Sequence, residues 1–139
     1  MEQNAGWGAE CFVNEALRRL GHETITLDYR AHRHELASKF RELPDFDALL
    51  LQRGEFFPAE LLAAVKRPLF FWASELVSRR RDQDRLLSSG LFSHVFLHGM
   101  ECKRIVTENG WLSKDNCSVI LNGFDEAVHR HIPGCKKDL

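Results

Sequence analysis

Four short apolar runs set the terms on which this chain can fold: residues 48–51, 69–73, 95–97 and 119–121, which read Ala-Leu-Leu-Leu, Leu-Phe-Phe-Trp-Ala, Val-Phe-Leu and Val-Ile-Leu. None alternates with polar residues. Continuous apolar character is what a parallel strand covered on both faces requires. Between the runs, apolar residues recur at helical spacing: Leu61, Leu62 and Val65 behind Pro58, Leu86 and Leu87 in a charged segment over 79–89, and Ile105 and Val106 within 100–109. Pro58 falls where a first helical turn can spare its N–H, Pro68 breaks the helix before the second run, and Gly90 and Gly110 stop the later helices. Strands alternating with helices through short connections predict an α/β domain, a Rossmann-like parallel sheet with helices on both faces.

The same alternation starts further upstream. Gly6-Trp7-Gly8 opens an amphipathic helix (Phe12, Val13, Ala16, Leu17, Leu20) that Gly21 stops, and a strand is expected at 24–29. A helix over 31–43 follows, with Leu36, Phe40 and Leu43 on one face and Pro44 as its terminator. A glycine turn of this kind normally hangs from an apolar strand, yet only Met1-Glu2-Gln3-Asn4-Ala5 stands before it. The expectation is a sheet of order 3-2-1-4-5-6 whose first, central strand is missing, in a chain that is part of a larger α/β protein. Residues 1–125 read as the domain and residues 126–139, without apolar periodicity, as a linker.

The 139 residues carry a formal net charge of -1, with 44% hydrophobic and 28% charged residues, which favours one ordinary globular domain and no nucleic-acid partner. Arg79-Arg80-Arg81 is followed by Asp82 and Asp84, the pattern of a solvated helix face. No apolar run is long enough to span a bilayer and no hydrophobic signal core opens the chain, so a cytoplasmic location is expected. Cys11, Cys102, Cys117 and Cys135 are far apart, and His32-Arg33-His34 and His129-Arg130-His131 lack further ligands at a useful spacing, so no metal and no cofactor are expected.

Several short elements together resemble the N-terminal domain of two-domain, B-type glycosyltransferases of the group 1 and spore-maturation kind. They are the Gly6-Trp7-Gly8 turn, Leu20-Gly21-His22-Glu23, Phe71-Trp72-Ala73-Ser74-Glu75 with Asp82-Gln83-Asp84 beyond it, Leu97-His98, and Leu121-Asn122-Gly123-Phe124-Asp125 leading to His129-Arg130 and Pro133. The last is similar to the family's interdomain hinge. The resemblance covers nearly the whole chain and implies transfer of a sugar from a nucleotide-sugar donor to an acceptor hydroxyl. It implies too that the donor site belongs largely to a second, C-terminal domain. This chain by itself is expected to be an inactive, acceptor-side half, and its incomplete sheet is expected to favour self-association or low stability. The rival expectation is a stand-alone flavodoxin-like binding or interaction module.

Candidate site residues follow from position as well as from the resemblance. Ligands of open parallel sheets sit at the carboxyl ends of strands. Glu75 and His98 end two neighbouring runs and can serve as hydrogen-bonding groups or as the base for an acceptor hydroxyl; an exposed loop residue and a capping or half-buried histidine are their plain alternatives. Arg53, just past the run at 48–51, can pair with a phosphate or with Glu55 or Glu60. Gly6 and Gly8 would let backbone N–H groups approach the donor phosphates; a flexible tail is the alternative. Trp72 reads as core and Trp7 as a stacking platform.

Overall fold

The computed structural model describes residues 9–121. They belong to two compact units, one described through residues 9–24 and one of residues 25–121. Gly6, Trp7, Gly8, the Asn122-Gly123-Phe124-Asp125 element, His129-Arg130-His131, Cys135 and the linker at 126–139 lie outside the described residues.

The first unit contributes α1 (Ala9–Arg19). Its end shows why Gly21 stands there: the chain turns at φ +91°, so that Gly21 N–H reaches Arg18 O and His22 N–H reaches Leu17 O. Glycine reaches that left-handed turn without a Cβ penalty, and the two bonds satisfy carbonyls the helix would otherwise leave open. The helix Met100–Glu108 closes on Gly110 in the same way.

The second unit runs α2 (Leu36–Arg41), β1 (Leu49–Gln52), α3 (Ala59–Ala63), β2 (Leu69–Ala73), α4 (Arg81–Leu87), β3 (His94–Leu97), α5 (Met100–Glu108) and β4 (Cys117–Val119). Its four strands form one all-parallel sheet in the order β1-β2-β3-β4, the α/β, Rossmann-like architecture that the apolar runs predict, with α3, α4 and α5 sharing one core on one face where helices on both were expected. Strand order departs from 3-2-1-4-5-6. That order would set two strands between the ones that became β1 and β2; instead Leu51 and Phe71 are register partners. Short crossovers of one hand lay consecutive strands side by side, and among the described residues the outer sides of β1 and β4 are the open edges.

Residues 24–29 form no strand. Thr24-Ile25-Thr26-Leu27 has the β-branched character of one, but a strand exists only through a ladder, and none of the described residues pairs with it. The segment packs instead through Leu27 and Tyr29. The helix expected over 31–43 is shortened to α2 because Asp28 accepts from the N–H groups of Arg30 and Ala31 (3.0 and 3.1 Å) and holds a turn ahead of it.

A strand order that runs one way places crossover helices of one hand on one face. Accordingly Leu62 of α3, Leu86 and Leu87 of α4, and Cys102 and Val106 of α5 share a single core with Leu51, Phe71, Ala73, Val95, Leu97 and Cys117 of the strands. Phe71 stacks on Phe92 at 4.9 Å, and fully buried side chains of this size contribute about 1.5–3 kcal/mol each. Register puts Leu50, Phe70 and His94, then Gln52, Trp72, Phe96 and Ser118, side by side on the opposite face. None of these belongs to that core, and only Trp72 among them is buried.

Candidate functional site

Arg53, Glu75 and His98 follow β1, β2 and β3 at the carboxyl edge of the sheet. The loop after β1 is tightly constrained: Arg53, Gly54 and Phe56 all have positive φ (65°, 75° and 60°). Only glycine visits that region cheaply, so two of the three carry strain that the surroundings must hold. α4 does the holding. The buried Gln83 side chain donates to Arg53 O, and Asp82 Oδ2 accepts from Phe56 N–H at 3.0 Å. A Cβ on Gly54 would meet Leu86 Cδ1 at 2.9 Å and Phe71 Cε2 at 3.0 Å, so the loop lies directly on the core.

This loop aims Arg53 across the strand ends. Its Nε donates to Glu55 Oε1 at 3.1 Å and its Nη2 to Glu75 Oε1 at 3.4 Å, while Arg79 Nη1 holds Glu75 Oε2 at 3.3 Å. Tyr29 OH donates to Glu55 Oε2 at 3.0 Å. The result is a chain of polar contacts Tyr29–Glu55–Arg53–Glu75–Arg79. Burial would raise the Glu55 carboxyl, but its own backbone N–H, the Tyr29 hydroxyl and Arg53 outweigh it and keep it below the usual carboxylate range. Burial, together with the adjacent Glu55 charge, pushes the Tyr29 phenol well above its ordinary value, so it stays a donor. Asp82 follows the Glu55 pattern: burial opposes the charge, and the Phe56 N–H, its own N–H and Arg80 prevail.

His98 stands apart from this chain of contacts. β3 ends at Leu97, and the chain bends at His98 and Gly99 before α5. The His98 Nδ1 is buried without a hydrogen-bond partner, and so are Gln52 Oε1 and Trp72 Nε1. These three atoms, near the carboxyl ends of β1, β2 and β3, comprise one acceptor, one donor and one group that can be either.

No family model, curated protein or solved structure matches this chain. Among the described residues no group of three His, Cys, Asp or Glu side chains is arranged to hold a metal ion, and no helix is long and apolar enough to cross a membrane. Cys102 and Cys117 are buried and form no disulfide; burial raises the Cys117 thiol against the opposing charge of Lys103.

Of the residues singled out in the sequence, Arg53 and Glu75 are brought into contact, and His98 follows β3 at the same edge. Arg53 takes Glu55 as one plain partner, as its neighbourhood in sequence allows, but Glu60 pairs with Arg85. Tyr29, Phe56 and Gln83 carried no signal of their own. Only the Asp82-Gln83-Asp84 triplet pointed towards α4, and what those residues hold is a loop thirty positions upstream, which no local pattern reveals.

Proposed function

We propose that this chain is the acceptor-side domain of a two-domain B-type glycosyltransferase, which moves a sugar from a nucleotide-activated donor to an acceptor hydroxyl. The observation that supports this best is the alignment of Arg53, Glu75 and His98 behind three adjacent parallel strands, beside a strained loop clamped by α4. In this reading Glu75 binds acceptor hydroxyls, His98 takes the hydroxyl proton through a ring nitrogen, and Arg53 offers its guanidinium to a phosphate or an acidic sugar. Gln52 and Trp72 add an acceptor and a donor to the same edge. The Gly6 and Gly8 amides would face the donor diphosphate, and the second domain would supply most of the donor site, so these residues alone would transfer no sugar.

A second reading, a flavodoxin-like binding module without catalysis, draws on one observation: both Glu75 oxygens are held by guanidinium groups, a poor starting point for a base. Titrations of the 139-residue chain separate the readings. Calorimetry with nucleotide sugars should show at most weak binding, and amide shifts during titration with simple glycosides should centre on Arg53, Glu75 and His98. Submicromolar affinity for a nucleotide sugar, or glycoside shifts confined to other parts of the sheet, would remove the acceptor-domain reading.

A further inference from the structure

A hollow of about 370 Å³ lies beside the clamped loop, lined by Tyr29, Arg30, Arg33, Leu36, Glu55, Phe56 and Pro58. That is the small end of the range for ligand pockets. Its rim is unusually cationic. The Arg33 guanidinium lies 5.0 Å from the centre of the Phe56 ring, that of Arg80 5.3 Å from the same ring, and that of Arg30 5.9 Å from the centre of Tyr29. Asp82 answers Arg80, at 3.4 Å. The one carboxylate that lines the hollow, Glu55, is already bonded through both oxygens, to Tyr29 and to Arg53. Arg33 has no carboxylate partner among the described residues.

Phe56 makes this arrangement costly to keep. It is 62% exposed and sits at φ 60°, a conformation that bulky side chains avoid. The loop therefore spends strain on an exposed ring, and what the ring does there is position two guanidinium groups through cation–π contact.

We infer that the hollow binds a small organic phosphate, with the phosphoryl oxygens on Arg33 and Arg30 and the apolar body against Tyr29, Leu36 and Pro58. Guanidinium matches a phosphoryl group in two-pronged fashion, and the aromatic and aliphatic walls accept a ring that inorganic phosphate lacks. The hollow would take such an anion whether or not the chain serves glycosyl transfer.

Phenyl phosphate, inorganic phosphate and phenol are the probes, titrated into the 139-residue chain by calorimetry and amide NMR. Phenyl phosphate should bind at least tenfold more tightly than either of the others, with shifts at residues 29–36 and 55–58. Arg33→Ala should weaken it at least tenfold, and Arg33→Lys should restore only part of the loss. Arg33 is exposed, so the fold should survive both changes. Arg67→Ala removes an exposed positive charge that pairs with Asp45 elsewhere and should leave binding intact. Equal binding of phenol and phenyl phosphate, no effect of Arg33→Ala, or an equal loss in Arg67→Ala would each overturn the assignment, the last because it would reduce the effect to diffuse charge.

Discussion

Gly54 and Glu55 sit at the point where the core meets the site, and each answers to a different force. At Gly54 the backbone is left-handed and the space above it is filled by Leu86 and Phe71. Gly54→Ala should therefore cost about 2–4 kcal/mol, combining the left-handed penalty with overpacking, as a denaturant midpoint will show. Glu55 is a matter of charge. Its depressed pKa means that its contribution to stability is present above the ordinary glutamate value of about 4.3 and is lost as pH falls through the lower folded value. Glu55→Gln should lose about 1–3 kcal/mol at neutral pH, and its stability should fall less steeply than that of the wild type below about pH 4.3. Tyr29 has the opposite sense: its contribution holds below the ordinary tyrosine value of about 10 and is lost as pH rises above it. Tyr29→Phe should flatten that alkaline decline.

β2 presents two unlike faces, and adjacent phenylalanines measure the difference. Phe71 is fully buried among α3, α4 and β3 residues, whereas Phe70 points to the second face and is half-buried. Phe71→Ala should cost about 3–5 kcal/mol and Phe70→Ala about 1–2 kcal/mol, in proportion to the smaller apolar area it withdraws from water. Equal losses in urea melts would mean that the second face is packed as tightly as the first.

Taken whole, the described residues hold one sheet, and the outer edge of its β1 pairs with no described strand. Residues 49 and 53 bond to β2 through their N–H groups, so the backbone groups of Leu50 point outward, and an open edge recruits further strands. Light scattering over a dilution series should show self-association through this edge. Leu50→Pro, which deletes an outward N–H and leaves the β1–β2 ladder intact, should abolish it. A wild-type chain that stays monomeric at every concentration and melts cooperatively above about 60 °C would show the edge to be adequately protected.

The sequence by itself determined the strands β1 to β3, the helices between them and the parallel sheet, because continuous apolar runs, Pro and Gly act locally and declare themselves within a few residues; the last strand, read at 119–121, lies two residues earlier as β4. It determined as well that Arg53, Glu75 and His98 stand at strand ends. Only the tertiary structure decided that residues 24–29 would stay unpaired, that β1 would lie against β2, and that α4 would bend the 53–56 loop into a cationic hollow. Each of these depends on a partner distant in the chain: a ladder needs a neighbouring strand, a strained loop needs Gln83 and Asp82 to hold it, and the charge on Glu55 needs Tyr29 and Arg53. Spacing along the chain carries no record of such partners.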